Sequence, residues 1–229
     1  MVLSLVDPRV KAKWEAAFAS GGDKSYPSLE VVRLERWYFG GKPGRLLEYG
    51  HGSGVNMIHL LSRGYTVDAI DVVPAAENFV RRKLADRLDL SARASFTLLT
   101  PGATRLPYED GRFDYVNCIS VLSLLGSRDA AKALVGEFYR VLRPGGRMVI
   151  DVNSKNSDFA RDSEHAGGEV YMYRGASGSD DPVPTWCPER VETFTGLFDQ
   201  FAVDEIGYAA HKYCGSEIHE FLICAHKQK

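Results

Sequence analysis

The feature that most constrains this chain is a short apolar strand followed by three glycines at alternate positions. Residues 45–49 read Arg-Leu-Leu-Glu-Tyr, and Gly50, Gly52 and Gly54 follow at once. Apolar residues then recur at helical spacing and predict a helix over 54–63. A glycine turn before a helix N-terminus lets a ligand approach backbone N–H groups, because no Cβ stands in the way. The stretch therefore predicts a site for a nucleoside-bearing ligand.

The spacing of the glycines separates this site from two common phosphate-binding motifs. A dinucleotide fingerprint requires its third glycine where this chain has Val55, and a P-loop requires a Gly-Lys-Ser/Thr run that does not follow Gly54. Glu48 lies two residues before Gly50, where its carboxylate would repel a phosphate and complement a positive charge. The pattern favours a ligand with a cationic amino-acid moiety, such as S-adenosylmethionine.

The next predicted strand, over 66–71, ends on a carboxylate. Asp71 at the carboxyl end of a second parallel strand can accept hydrogen bonds from both hydroxyls of a ribose. Asp68 is the alternative, but it lies inside the strand rather than at its end. Asp71 is therefore the predicted ribose-binding residue.

Strands and helices alternate along most of the chain, which is typical of a parallel sheet covered on both faces. The apolar pattern predicts strands over 45–49, 66–71, 95–99, 113–119 and 146–152 and helices over 54–63, 75–88 and 128–142. Right-handed crossovers between parallel strands place the ligand-binding loops at the carboxyl edge of the sheet.

Two later segments complete an ordered set of motifs. Residues 106–116 read Leu-Pro-Tyr-Glu-Asp-Gly-Arg-Phe-Asp-Tyr-Val, and residues 143–146 read Arg-Pro-Gly-Gly. Each motif alone is common, but their order and spacing after the glycine turn and Asp71 are specific. From about residue 46 to 152 the chain closely resembles class I S-adenosylmethionine-dependent methyltransferases of the small-molecule type.

The resemblance implies S-adenosylmethionine as cofactor, S-adenosylhomocysteine as product, and methyl transfer to a small-molecule acceptor by in-line displacement. The implied fold is α/β, a Rossmann-like doubly wound sheet of about seven strands, mostly parallel with the last strand antiparallel. A helix over 189–198 and strands over 201–206 and 217–225 match the end of that fold. The implied cofactor-binding residues are Tyr26, Glu48, Gly50, His51, Gly52, Gly54, Asp71, Val72, Ala103, Thr104, Cys118 and Ile119.

Two positions depart from the family pattern. His51 stands between the first two glycines, where many relatives have a small residue, and we interpret it as an imidazole packed over the turn. Gly102 stands where relatives often carry an acidic residue that contacts the adenine amino group. Adenine recognition would then rest on the Ala103 N–H and on Thr104 or Thr100.

Segments on either side of the core are predicted to complete the site. Residues 1–44 carry two apolar runs at helical spacing and predict a helical cap over a methyltransferase domain spanning 45–229. Tyr26 is the candidate in this cap to contact the methionine end of the cofactor with its ring face. Residues 154–188 are rich in Gly, Ser, Asp and Pro and too long for an ordinary connection, which predicts a lid.

Alignment and desolvation can drive the reaction without a side-chain base, because a sulfonium is already a good leaving group. For a hydroxyl acceptor, His211 and His165 are the candidate general bases, and Tyr171 and Tyr173 are candidates to line the acceptor site. His219 lies inside the last predicted strand and is interpreted as a packed histidine.

Composition narrows the environment and the partners. A formal net charge of −2 without a long basic block argues against nucleic acid as a primary substrate. No apolar run reaches the roughly 18 to 20 residues of a membrane helix, and no signal-peptide pattern is present. Four cysteines without Cys-x-x-Cys spacing argue against a zinc site. We expect a cytoplasmic protein that binds no metal.

Three other functions are open at this stage. A nicotinamide-dependent oxidoreductase is disfavoured by Val55. An aminopropyltransferase would need a paired acidic site for a polyamine, which the sequence does not clearly show. A non-catalytic partner subunit that binds S-adenosylmethionine is mildly favoured by Gly102.

Overall fold

The computed structural model describes residues 4–5, 7–174 and 181–229. The strands are β1 (Arg45–Tyr49), β2 (Thr66–Asp71), β3 (Ala94–Leu98), β4 (Phe113–Cys118), β5 (Leu142–Asn153), β6 (Glu164–Gly167), β7 (Val170–Tyr173), β8 (Val183–Trp186), β9 (Ala202–Tyr213) and β10 (Ser216–His226). The helices are α1 (Pro8–Ala19), α2 (Leu29–Trp37), α3 (Val55–Ser62), α4 (Pro74–Leu84), α5 (Leu88–Ser91), α6 (Arg128–Val141), α7 (Asp158–Arg161) and α8 (Val191–Thr195). A 3₁₀ helix spans Leu122–Leu125.

Seven of these strands form one sheet in the order β3-β2-β1-β4-β5-β10-β9. Neighbouring strands from β3 to β5 pair in parallel, whereas β10 runs antiparallel to both β5 and β9. The expected Rossmann-like sheet, with its last strand antiparallel, is therefore confirmed. The strand order reverses between β1 and β4, so their carboxyl ends diverge and leave a crevice for a ligand.

The two faces of the sheet carry separate apolar cores. On one face, Leu47, Val116 and Ile150 pack with residues of α6. On the other, Leu46 and Val149 pack with residues of α3. Because successive side chains of a strand point to opposite faces and both faces are covered, β1, β2 and β4 are buried at most positions.

Several elements differ in length from the prediction. β5 begins at Leu142, and β9 continues to Tyr213 because it pairs with β10 along a long hairpin. The helix predicted over 75–88 ends at Leu84, with α5 following, and the helix predicted over 189–198 is reduced to α8. The length of β9 depends on its pairing with β10, which local propensity does not reveal.

The segments flanking the central strands are also folded. α1 packs Trp14 and Phe18 against Phe79 of α4. Within 154–188, α7 is followed by a second, antiparallel sheet of β6, β7 and β8. In this sheet Trp186 is 1% exposed, so the predicted lid includes core-forming residues. Among the described residues, no helix is long and apolar enough to cross a membrane.

Candidate active site

A cavity of about 1120 Å³ lies between the carboxyl edge of the sheet and the helices α1 and α2. The first strand–helix turn, the end of β2 and the residues after β4 form one wall, and residues of α1 and α2 form another. Residues of β9 and β10 extend the wall on the far side. The cavity thus lies where the sequence places the ligand-binding loops.

The three glycines of the turn have different neighbours. All three have positive φ angles, of 75° at Gly50, 50° at Gly52 and 82° at Gly54. A Cβ on Gly50 would collide with Val121, and a Cβ on Gly54 would collide with Val80. A Cβ on Gly52 would meet only Phe18, whose Cζ would be 3.9 Å away. Gly52 is therefore the glycine that leaves space for a ligand, while the other two permit close packing.

Asp71 faces the cavity and holds the turn in place. Its Oδ2 accepts a hydrogen bond from the Gly52 N–H at 2.8 Å, and its Oδ1 accepts from Val72 and Val73 at 2.7 and 2.9 Å. By contrast, Asp68 is buried against Arg45, whose Nε lies 2.8 Å from Asp68 Oδ2. Asp71 is thus available to a ribose, and the alternative carboxylate is committed to an ion pair.

Glu48 lies beneath the turn and does not line the cavity. Asn117 Nδ2 donates a 2.8 Å hydrogen bond to Glu48 Oε2. Burial raises the pKa of Glu48 to about 8, although the bond from Asn117 opposes the shift. Burial thus favours the protonated form of the Glu48 carboxyl, and the role expected of its negative charge toward a cationic ligand stays a prediction.

His51 lines the cavity with little of its surface exposed. Its Nδ1 lies 2.9 Å from Gly52 O, and its ring meets Phe96 edge-on at a centroid distance of 5.7 Å. Burial lowers the pKa of the imidazole, and the charge of Asp71 acts in the opposite direction. These contacts fit a neutral ring packed over the turn.

The loop expected to bind adenine is engaged with the N-terminal segment instead. The Ala103 N–H donates to Thr100 O at 3.1 Å, and Ala103 O accepts from the Leu5 N–H at 2.7 Å. The Gly102 N–H donates to Ser4 Oγ at 3.2 Å. Neither Ala103 nor Thr104 lines the cavity. The adenine contact expected of Ala103 and Thr104 therefore stays a prediction that their position in this structure does not support.

Apolar side chains take the place of that loop at the cavity wall. Val72 and Leu99 line the cavity beside Asp71. After β4, Ile119 and Ser120 line it, whereas Cys118 is fully buried below the surface. Of the implied cofactor residues in this region, the structure therefore brings Val72 and Ile119 to the cavity and leaves Cys118 outside it.

Tyr26 is 83% exposed and does not line the cavity. The aromatic rings that α1 contributes to the wall are those of Trp14 and Phe18. The linker between α1 and α2 is nevertheless tied to the turn, because the Lys24 N–H donates to Ser53 Oγ at 3.0 Å. Tyr26 lies in this linker, and its neighbour Pro27 lines the cavity; the cofactor contact of Tyr26 stays a prediction.

The histidines proposed as bases lie in different environments. His211 on β9 lines the cavity. His165 lies on β6 away from it, with Nε2 2.7 Å from Gly168 O. His219 Nδ1 lies 2.7 Å from Ser154 Oγ, which fits the packed role. Tyr171 and Tyr173 do not line the cavity either, so only His211 stays a candidate base on position.

Sequence reasoning missed a group of acidic residues at this cavity. Glu30 of α2 and Glu220 of β10 line it, and Asp151 of β5 is buried behind them. Asp151 is close to the carboxyl end of its strand, so the rule that selected Asp71 could have found it. Glu30 and Glu220 carry no local signal, since only the fold brings α2 and β10 together.

Comparison with known proteins agrees with this geometry. A family model described as a methyltransferase domain matches residues 47–150. YqeM of Bacillus subtilis, named as a methyltransferase, is 26% identical over 219 residues, which cover 88% of this chain and 86% of that protein. The demethylmenaquinone methyltransferase of Thermus thermophilus is 37% identical over 110 residues, which cover 47% of this chain and 46% of the relative.

Solved structures share the fold. The 1,6-didemethyltoxoflavin N1-methyltransferase of Burkholderia thailandensis aligns with a TM-score of 0.69 at 17% identity, covering 96% of this chain and 88% of that chain. The N-methyltransferase NodS of Bradyrhizobium japonicum, in complex with S-adenosylhomocysteine, aligns with a TM-score of 0.67 at 15% identity, covering 96% of this chain and 100% of that chain.

Residues 47–150 therefore match a methyltransferase domain, and the chain is similar to methyltransferases over most of its length. The shared fold explains the position of the cavity, since a doubly wound sheet binds its ligand at the carboxyl ends of the strands. The second half of the cavity, formed by α2, β9 and β10, lies outside residues 47–150 that match the family model.

Proposed function

We propose that this methyltransferase transfers the methyl group of S-adenosylmethionine to a small-molecule acceptor by in-line displacement. The observation that carries the proposal is a single cavity of about 1120 Å³ that is shared by the glycine turn, Asp71 and the walls formed by α2 and β10. A cavity for one drug-sized ligand occupies roughly 300 to 1,000 Å³. The space therefore suits a cofactor and an acceptor side by side.

The residues present fit the cofactor at one side of this cavity. Asp71 would accept hydrogen bonds from the ribose hydroxyls, and the open space at Gly52 would admit the ligand close to the backbone. Val72 and Leu99 offer apolar surface for the adenine. When bound, S-adenosylmethionine supplies an activated methyl group on a sulfonium.

The chain itself would contribute alignment and exclusion of water. α1 and α2 cover the cavity from the side opposite the sheet, and Phe18 lies over the glycine turn. Holding two reactants in line can supply roughly 7 to 11 kcal/mol of the barrier. His211 is the candidate base for an acceptor whose proton must be removed, and no base is needed for an acceptor that is already nucleophilic.

The acceptor side is apolar at its rim. Leu29, Trp37 and Tyr208 line the cavity and are 52%, 73% and 75% exposed. Large exposed apolar side chains beside a cavity are typical of a ligand-binding site. The names of the demethylmenaquinone and toxoflavin methyltransferases support an acceptor of small-molecule size. The cytoplasmic location stays a prediction.

Titration calorimetry and product analysis test this proposal. We expect S-adenosylmethionine and S-adenosylhomocysteine to bind and NAD to show no heat of binding. With a panel of amines, phenols and thiols as acceptors, turnover should release S-adenosylhomocysteine. Release of 5′-methylthioadenosine from the decarboxylated cofactor would instead indicate aminopropyl transfer, and tight binding of NAD alone would contradict the proposal.

A further inference from the structure

Two carboxyl groups, those of Glu30 on α2 and Glu220 on β10, line the cavity, and a third, that of Asp151 on β5, is buried behind them. We propose that this acidic pocket, defined by Glu30, Asp151 and Glu220, binds the amino group of an apolar amine and so makes the acceptor an amine. The inference rests on the proposed function, and it adds the class of acceptor and the residues that select it.

The pairing of β5 with β10 brings two of the three carboxyl groups together. Glu220 pairs with Asn153, and Leu222 pairs with Asp151, so Asp151 and Glu220 lie diagonally on one face of the sheet. Diagonal neighbours in an antiparallel pair have Cα atoms about 7 to 8 Å apart, within reach of long side chains. Glu30 approaches the same place from α2, and its charge acts on both Asp151 and Glu220.

The pocket has acceptors without donors. Asp151 is 1% exposed; its Oδ1 accepts the Ser120 N–H at 2.7 Å, and its Oδ2 is buried without a hydrogen-bond partner. In the part of the chain that the structure describes, no side chain or N–H donates to the carboxylates of Glu30 or Glu220 either. The carboxyl groups of Glu30 and Glu220 line the cavity, with Asp151 buried behind them, so a ligand that brings N–H groups would give these carboxyl groups hydrogen-bond donors.

Charge also favours a cationic ligand. The basic group of Lys24 and the acidic group of Glu30 both act on Asp151 and Glu220, and Arg33 of α2 also lines the cavity. Burial and the neighbouring carboxylate of Glu30 raise the pKa of Glu220 to about 7, while Lys24 opposes the shift. Burial and Glu220 likewise raise the pKa of Asp151. An ammonium group in this pocket would relieve the repulsion that these shifts express.

Apolar side chains surround Glu30 and Glu220 at the cavity wall, so we expect the rest of the acceptor molecule to be apolar. Glu30, Leu34 and Trp37 follow each other at helical spacing on α2 and all line the cavity. Leu222 and Tyr208 line it from β10 and β9. A ring or alkyl chain carrying one amino group matches this arrangement.

The acidic pocket also has a place for the proton. The bound ammonium loses a proton to the Glu220 carboxylate, which leaves a neutral amine. The nitrogen lone pair then forms the N–C bond to the methyl group as the C–S bond breaks and its electron pair stays on sulfur. The N-methylammonium product keeps one positive charge, and Glu220 returns its proton to solvent. His211 also lines the cavity near β10 and is the second group through which this proton can leave.

The first test compares amines with alcohols of the same shape. Protein saturated with S-adenosylhomocysteine is titrated with a panel of pairs such as 2-phenylethylamine and 2-phenylethanol. We expect at least one amine to bind about tenfold or more tightly than its alcohol, because a charge-assisted hydrogen bond to a carboxylate adds affinity of this size. Glu30→Gln and Glu220→Gln should abolish this preference and leave alcohol binding within about twofold. If no amine in the panel binds more tightly than its alcohol, the inference is wrong.

A matched control and the cofactor separate this inference from the proposed function. Glu192→Gln, an exposed position on α8, should keep the preference for amines. Affinity for S-adenosylhomocysteine itself should be unchanged in Glu220→Gln; if the parent fails to bind it, the proposed function fails first. If Glu220→Gln weakens binding of S-adenosylmethionine but not of S-adenosylhomocysteine, the carboxyl groups bind the sulfonium of the cofactor and the inference is wrong.

Turnover gives a second readout. With the preferred amine, kcat/KM of the parent should rise with pH through about 7, because Glu220 must be ionised to take the proton. In the described part of the chain, the other titratable or charged groups at this site are Asp151, Glu30, Lys24, Arg33, Tyr208 and His211. The rise near pH 7 should disappear in Glu220→Gln and return in Glu220→Asp, and its persistence in Glu220→Gln would assign the proton to another group.

Discussion

At the scale of single residues, Asp71 joins the glycine turn, the start of α4 and the cavity through one carboxylate. Its two oxygens accept three backbone N–H groups, so an amide in its place must turn its NH₂ group toward at least one of them. We expect Asp71→Asn to weaken S-adenosylhomocysteine binding by tenfold or more and to cost about 1 to 3 kcal/mol of stability. Calorimetry and urea unfolding measure the two effects.

The control for this change is Asp86→Asn, an exposed carboxylate after α4. It should alter neither affinity nor stability beyond about 0.5 kcal/mol. Affinity of Asp71→Asn within twofold of the parent would contradict the ribose-binding role.

The glycines of the turn allow a sharper comparison, because their neighbours differ. Gly52→Ala adds a methyl group where only Phe18 is near, so it should fold with a modest loss of stability and lose cofactor binding. Gly54→Ala drives the same methyl into buried Val80 at a positive φ and should lose about 2 kcal/mol or more of stability. Circular dichroism with thermal unfolding and calorimetry distinguish the two. Retained binding in Gly52→Ala would mean that the ligand does not approach this glycine.

At the scale of elements, Lys83 of α4 fastens the α1–α2 linker to the glycine turn. Its Nζ donates to Lys24 O at 2.9 Å and Ser53 O at 3.0 Å, and it pairs with Asp23. We expect Lys83→Met to release this linker, with several-fold weaker S-adenosylhomocysteine binding and faster tryptic cleavage at Lys24. Lys132→Met, which removes an exposed pair with Asp199, is the matched control. Equal cleavage rates in the two variants would show that the linker is held by other contacts.

An element could be predicted from the sequence where neighbouring residues determine its limits, and not where pairing with another segment determines them. β1 and β2 match their predicted limits because apolar runs bounded by glycine and a terminal carboxylate mark them. β7 and β8 could not be predicted, since Tyr171 pairs with Thr185 across a segment rich in Gly and Ser. In such a segment the pairing, and not the composition, decides that strands form.

The same distinction applies to the site. Gly52 and Asp71 could be predicted because a strand end and a glycine turn are contiguous in sequence. Tyr26 and Ala103 were selected from the family resemblance, and neither lines the cavity, because their positions depend on the path of the N-terminal segment. Glu30 and Glu220 meet only after β10 has paired with β5, so no local pattern could have joined them.

At the scale of the whole molecule, three buried carboxyl groups on the sheet make stability depend on pH in a definite direction. Burial raises the pKa of Glu48 to about 8, that of Glu220 to about 7, and that of Asp151 well above its usual range. Between the ordinary pKa of a carboxyl group and these raised values, the folded chain binds more protons than the unfolded chain, so its stability falls as pH rises. Carboxylates with lowered pKa values, such as Asp68, change the stability only in acid, near pH 4 and below.

We therefore expect the free energy of unfolding, measured in urea, to be lower at pH 8.5 than at pH 6.5. Glu48→Gln removes one of the three groups and should narrow this difference by about 1 kcal/mol or more. A free energy of unfolding that rises over this interval would show that these carboxyl groups are ionised in the folded protein and hold partners other than those described above.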